Sequence, residues 1–193
     1  IDQFPEKKYL KDFVKDFSDF ELIKKNWILA QDKINLDKNI KFFKTHQGKY
    51  TIGEDNFTNE ENTKAVIYVV RDPRNVITSI SNHYTLSIKD SLKFMLSDTI
   101  IGNKKSFEES HREKKFGILT LLGKWNNHYR SWTRKKDNLL LIKYEDLVLN
   151  PKSEIMKISL FLKKYIDFEV NENKYKNILR TTAFENLKKM ENE

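Results

Sequence analysis

The stretch that decides the fold reads Ala65-Val66-Ile67-Tyr68-Val69-Val70-Arg71-Asp72-Pro73-Arg74-Asn75-Val76-Ile77-Thr78-Ser79. Residues 65–70 form an uninterrupted apolar run, the pattern of an internal strand covered on both faces. The run stops at Arg71, and the next two residues suit a helix start. Asp72 can cap a helix N-terminus, and Pro73 is tolerated in a first turn, where its missing N–H would have had no partner. The helix is expected to continue to about Tyr84. Strand, tight turn and helix make an α/β unit, whose ligand site lies at the C-terminal end of the strand.

Upstream, residues 5–37 read as helical. Phe13, Val14, Phe17 and Phe20, then Ile23, Trp27, Ile28 and Ala30, recur at helical spacing, and Ser18-Asp19 supplies a cap between two helices. Residues 39–45 are rich in aromatic and β-branched types and read as a short strand, and 47–63 as a loop. Downstream, helices are expected over 88–98 and about 118–134, separated by a polar insertion at 100–116. On the second helix Leu121, Leu122, Trp125, Tyr129 and Trp132 share a broad apolar face, read as core. A third strand follows at Leu139–Tyr144, then helices from Asn150-Pro151 to about Lys164 and over 172–180 and 183–191. Strands alternating with helices predict an α/β fold, a parallel β-sheet flanked by helices. Neither an internal repeat nor a composition break appears, so 1–193 is expected to form a single domain.

The formal net charge is +8, but the lysines are interleaved with Glu and Asp along most segments. That is a charged surface rather than a basic groove, and the aromatics lie on helical core faces rather than on a stacking platform, so nucleic acid is not an expected partner. Cysteine is absent, which removes disulfides, thiol catalysis and Cys-based zinc sites. The four histidines, His46, His83, His111 and His128, show no paired spacing, so no metal site is expected. No apolar run approaches the roughly 20 residues needed to span a bilayer, and Ile1–Lys8 shows no apolar leader. A cysteine-free chain suits a reducing compartment, and a cytoplasmic location is expected. The first residue is not Met, so the natural protein is expected to extend upstream.

Three strand ends carry the candidate chemistry. Arg71 ends the first strand, and Ser79 lies about two turns into the helix. A guanidinium fork, a helical hydroxyl and a helix N-terminus together suit a phosphate monoester. An Arg71–Asp72 ion pair with Ser79 on the surface is the other reading of the same residues. Lys44-Thr45-His46 ends a second strand; His exchanges protons near neutrality, and a neighbouring Lys can stabilise developing negative charge. A plain surface His is the alternative there. Tyr144-Glu145-Asp146 ends the third strand, where Tyr144 can line a nucleotide pocket and the two acids can bind local backbone.

Taken in order, these motifs resemble the sulfotransferases that use 3′-phosphoadenosine 5′-phosphosulfate (PAPS). Val66–Ser79 resembles the family's 3′-phosphate segment, which implies that Arg71 and Ser79 bind the 3′-phosphate. Phe43-Lys44-Thr45-His46 is similar to the segment bearing the catalytic base, which implies His46 as base and Lys44 as its assistant. Leu141–Leu147 followed by Asn150-Pro151 resembles the family's late strand, with Tyr144 near the nucleotide. Thr181-Thr182-Ala183-Phe184 resembles the segment that contacts adenine, which implies Thr182 and Phe184 as cofactor residues. The resemblance implies a P-loop-NTPase-like fold and transfer of a sulfuryl group from PAPS to a hydroxyl or amine of a small-molecule or glycan acceptor, with no metal required.

Two family segments have no counterpart here. The Pro-Lys-Ser-Gly-type loop that cradles the phosphosulfate, with its strand, is not found, since the first glycine is Gly48. The C-terminal Arg-Lys-Gly and Gly-Asp-Trp segment is not found either. The resemblance therefore implies a fragment truncated at both ends, and it leaves a second reading, a catalytically incomplete binder of the nucleotide product PAP or an interaction domain. A kinase relative is disfavoured because no Gly-rich phosphate loop is present.

Overall fold

The computed structural model describes residues 1–102, 117–135, 137–169, 172–182 and 186. Its elements run β1 (Asp2–Gln3), α1 (Lys7–Leu10), α2 (Phe20–Lys25), α3 (Trp27–Ile34), β2 (Phe43–Lys44), β3 (Thr51–Ile52) and β4 (Asp55–Asn56). Next come β5 (Val66–Val70), α4 (Pro73–Tyr84), α5 (Ile88–Leu96), β6 (Ile100–Ile101) and β7 (Thr120–Leu121). The described chain closes with α6 (Trp125–Thr133), β8 (Leu139–Lys143), α7 (Tyr144–Leu149), α8 (Pro151–Leu162) and α9 (Glu172–Thr181). They fall into two compact units: Ile1–Ala65 with Pro73–Asp137, and Val66–Asp72 with Asn138–Glu193.

The first unit is built on a chain of aromatic rings. Trp27 is fully buried and meets Phe57 edge-on at 5.3 Å between ring centroids, and Phe57 in turn meets Trp132 at 6.1 Å. Phe4 closes on Phe57 at 5.8 Å and Phe20 on Trp27 at 5.8 Å. Leu10, Val14, Ile23, Ala30, Met95, Ile118 and Leu119 are also buried in this unit. Most polar groups inside it find partners among the described residues, the Trp27 indole N–H excepted. Gln31 donates to the Phe57 carbonyl at 2.6 Å and accepts from the Thr58 hydroxyl at 2.6 Å, and the Lys24 ammonium meets Glu21, Asp55 and the Ile52 carbonyl within 3.2 Å. Lys24 thereby ties α2 to the β3–β4 hairpin, whose turn carries Gly53 at φ +64°.

The helical reading of 5–37 holds in broken form. Asp19 caps α2, accepting from the Glu21 and Leu22 amides at 2.8 and 3.4 Å, so the expected cap is where the break occurs. Asn26 then ends α2 and opens α3 at φ −107°, donating its side-chain amide to the Leu22 carbonyl at 2.8 Å. The strand expected over 39–45 shortens to β2, which pairs in parallel with β1, an element the sequence did not suggest.

The helix expected from residue 118 begins only at Trp125. Thr120–Leu121 is instead extended and pairs antiparallel with Ile100–Ile101, and the Leu122 amide donates to the Thr99 carbonyl at 2.9 Å. Gly123, at φ +65°, turns the chain from this strand into α6. Tertiary hydrogen bonds have overridden the helical periodicity of 118–124.

In the second unit β5 and β8 pair in parallel, in register from Val66–Leu139 to Val70–Lys143. Ile142 is fully buried, and α7 and α8 pack against β8. Val69 and Leu141 are exposed, so the expectation of a strand covered on both faces is not met among the described residues. A pair of strands with helices packed on one member cannot bury every side chain. Tyr144 opens α7 rather than closing the strand. The closing helix expected over 172–180 is α9, and the one expected over 183–191 lies outside the described residues apart from residue 186.

Removing the Trp27 indole should cost about 4 kcal/mol, the range for emptying a fully buried aromatic site. Urea denaturation followed by circular dichroism should show that loss for Trp27→Ala. Leu149→Ala, at a site 75% exposed, should lie within about 0.5 kcal/mol of the parent.

Candidate functional site

The segment after β2 is fixed by side chains and main chain from β7 and α6. Gln47 is completely buried. Its Oε1 accepts from the Leu121 amide at 2.7 Å, and its own carbonyl accepts from the Trp132 indole N–H at 3.0 Å. The Gly48 amide donates to the Leu121 carbonyl at 3.0 Å, and the Lys49 amide donates to the Ser131 hydroxyl at 3.0 Å. The Thr45 hydroxyl accepts from the Gln47 amide at 3.0 Å. Tyr50 then inserts its ring between two glycines: a β-carbon at either Gly48 or Gly123 would collide with it. Its hydroxyl donates to the Leu122 carbonyl at 2.8 Å, and burial, with the nearby Asp98 charge, pushes its pKa up to about 12.

His46 therefore stands at the head of a rigid loop. The residue is exposed, yet protein atoms packed around the ring disfavour its charged form, and Lys44 adds repulsion. Its pKa lies below the ordinary 6.5 for these two causes in that order. A neutral imidazole beside an exposed Lys44 can accept a proton near neutral pH. The structure also brings up a histidine to which the sequence assigns no role. His128 Nε2 lies 3.2 Å from the His46 carbonyl. Its pKa is likewise lowered, chiefly by burial, with the bond to His46 opposing and the His46 ring charge assisting. A lone His inside an aromatic-rich helix carries no sequence signal of such a partner; only the long-range contact reveals it.

The second unit gathers the other candidates. Arg71 and Tyr144 leave the C-terminal ends of the paired strands β5 and β8, and the guanidinium lies 4.7 Å from the Tyr144 ring centroid. The adjoining Glu145 carboxylate accepts from the Asp72 amide at 3.0 Å, the local backbone role open to it from the sequence. Arg71 Nε is buried and has no hydrogen-bond partner among the described residues. An unmatched buried donor on a cation is costly unless an acceptor meets it, so this position fits an anion. Ser79 is exposed on α4, in the first unit.

The structure thus brings together Arg71 with Tyr144, and Lys44 with His46. Lys44 and His46 end the pair β1–β2 and belong to the first unit, whereas Arg71 and Tyr144 belong to the second. Thr182 is exposed just after α9, where its hydroxyl donates to the Ile178 carbonyl at 2.7 Å, and Phe184 lies outside the described residues. Trp132 is buried as expected of a core residue, while Trp125 and Tyr129 are half-buried and stack at 6.1 Å between centroids. No three His, Asp or Glu side chains converge among the described residues, and no helix there is long and apolar enough to cross a membrane.

Comparison with known proteins finds sulfotransferases. The family model described as a sulfotransferase domain matches residues 4–193. The dog (Canis lupus familiaris) sulfotransferase 1B1 is 30% identical over 130 residues, covering 66% of this chain and 38% of that protein. The rabbit (Oryctolagus cuniculus) amine sulfotransferase is 31% identical over 131 residues, covering 66% of this chain and 38% of its own length. The luciferin sulfotransferase of the firefly Photinus pyralis is 28% identical over 148 residues, covering 77% of this chain and 35% of its own length. The chain thus spans less than half the length of these curated relatives. A crystal structure of mouse sulfotransferase SULT7A1 complexed with PAP superposes with a TM-score of 0.56 at 22% identity, covering 81% of this chain and 52% of that one, which establishes a shared α/β fold. With the family model matching nearly the whole chain, the protein belongs to the sulfotransferase family.

Proposed function

We propose that residues 1–193 are part of one sulfotransferase domain that moves a sulfuryl group from PAPS to a hydroxyl or amine of a small acceptor. The observation that carries the reading is Arg71: a buried, unpartnered guanidinium nitrogen at the C-terminal end of a parallel strand. Arg71 would take the 3′-phosphate through its fixed fork of donors, with the Ser79 hydroxyl adding one more. Tyr144, already against the guanidinium, would border the nucleotide. Thr182 and Phe184 are proposed to hold the adenine on the strength of the sequence resemblance alone.

His46 would take the proton from the acceptor as its oxygen or nitrogen attacks the sulfur. Its lowered pKa keeps it in the proton-accepting form at neutral pH. Lys44 would neutralise charge that builds on the bridging oxygen of the leaving phosphate. Such in-line transfer needs positioning, a base and cations rather than a metal. Amine and luciferin sulfotransferases among the relatives support a small-molecule acceptor over a macromolecule. A cysteine-free chain supports the cytoplasm as its compartment.

Calorimetry with PAP tests the phosphate site. Arg71→Ala should weaken binding by about 10- to 100-fold, the worth of charge-assisted hydrogen bonds, and Ser79→Ala by about fivefold. An Arg71→Ala variant that binds PAP like the parent would remove the phosphate assignment. Assays with PAPS and a panel of phenols, alcohols and amines test the chemistry. His46→Ala should slow transfer by at least about 100-fold while leaving PAP affinity unchanged. In the parent, kcat/KM should fall on acidification through a midpoint below 6.5, because protonating His46 removes the base. PAP binding without turnover on any acceptor would leave a nucleotide-binding protein in place of an enzyme.

A further inference from the structure

We propose that His128 is a positioning residue for His46, holding it through a hydrogen bond from the His128 ring to the His46 main-chain carbonyl. The inference rests on the reading of His46 as the base. A carbonyl oxygen can only accept, so at 3.2 Å the His128 Nε2 must carry the hydrogen. Among the described bonds from α6 and β7 to this loop, it reaches His46 itself. The Trp132 indole holds Gln47, the Ser131 hydroxyl holds Lys49, and the Leu121 carbonyl holds Gly48.

These anchors are arranged along one helical face. His128, Ser131 and Trp132 stand at spacings of three and four residues, the positions that share one side of a helix. The side of α6 that meets the loop therefore presents three polar groups, which engage residues 46, 49 and 47 in turn. The peptide plane between His46 and Gln47 is held from two sides, by the His128 ring at its carbonyl and by the Thr45 hydroxyl at its N–H, so losing the His128 bond would leave it the Thr45 anchor. The imidazole would then sample orientations that Gln47, anchored one residue later, does not restrict. A base held within hydrogen-bond reach of one proton depends on that restriction.

Imidazole nitrogen NMR on the parent chain at pH 7.5 reads the bond directly: His128 should be in its Nε2–H tautomer. Amide hydrogen exchange then reads the loop. His128→Phe, which keeps ring bulk but has no donor, should speed exchange at Gly48 and Lys49 about fivefold, the worth of one hydrogen bond. Ala30, in the core of the same unit, should be unaffected. His128→Gln, which carries an amide donor at similar reach, should restore slow exchange. Turnover should follow the same order, with kcat reduced in His128→Phe and recovered in His128→Gln at constant KM for PAPS. An Nδ1–H tautomer at His128, unchanged loop exchange in His128→Phe, or a His128→Gln loop as loose as that of His128→Phe overturns the proposal. Should His128→Phe fail to fold, the tautomer of the parent decides. A parent chain that transfers no sulfuryl group defeats the enzymatic reading alone, since tautomer and exchange judge the positioning separately.

Discussion

Burial of the Gln47 amide is the constraint on which the first unit depends. A primary amide without access to water must find partners for its oxygen and nitrogen, or the fold loses several kilocalories per mole. Gln47 meets the Leu121 amide with its oxygen and the Gly48 carbonyl, at 3.3 Å, with its nitrogen. Meeting the first of these demands that residues 120–122 be extended. That strand then cannot be helix, and α6 must begin after Gly123. The placement of His128, Ser131 and Trp132 beside the loop stems from where α6 begins. One buried side chain thus fixes the register between a loop and a helix some eighty residues apart in sequence.

The second unit answers a different constraint. A parallel pair puts both C-terminal ends on the same side, so the residues that leave β5 and β8 must meet. Those residues are Arg71 with Asp72 on one strand, and Tyr144 with Glu145 on the other. The ring packs on the guanidinium, and the carboxylate takes the main-chain N–H of Asp72. Glu145 so engaged steadies the turn that presents Arg71. The Arg71 Nε stays buried with no hydrogen-bond partner among the described residues.

The parts legible in the sequence are those set by local rules. The apolar run at 65–70, the turn at Asp72-Pro73 and the helix to Tyr84 appear at the expected residues, as does the start of α8 at Pro151, and β8 falls one residue short of its expected end. Asp19 caps where its side chain suggests. The misread parts are governed by distant partners. Residues 118–122 look like the first turns of a helix, but Ile100–Ile101 and Gln47 hold Thr120 and Leu121 extended, and the Thr99 carbonyl takes the Leu122 amide. The β1 strand is two residues long and exists only because β2 lies alongside. Of the candidate residues, Arg71 and Tyr144 in one unit and Lys44 and His46 in the other are nameable from strand ends, whereas His128 is invisible because its partner is a carbonyl 82 positions away.

The wedge formed by Tyr50 carries an evolutionary consequence. The ring occupies the space that side chains at positions 48 and 123 would need, and its hydroxyl answers the carbonyl of Leu122. These positions cannot drift separately. A bulkier residue at 48 is admissible only in lineages where position 50 has already become small, and that change strands a carbonyl unless another donor replaces the phenol. Position 123 is the more conservative of the pair, since its left-handed backbone favours glycine even after the ring is gone. Among relatives, residues 48 and 50 are thus expected to covary as a pair, with glycine at 123 persisting through both states.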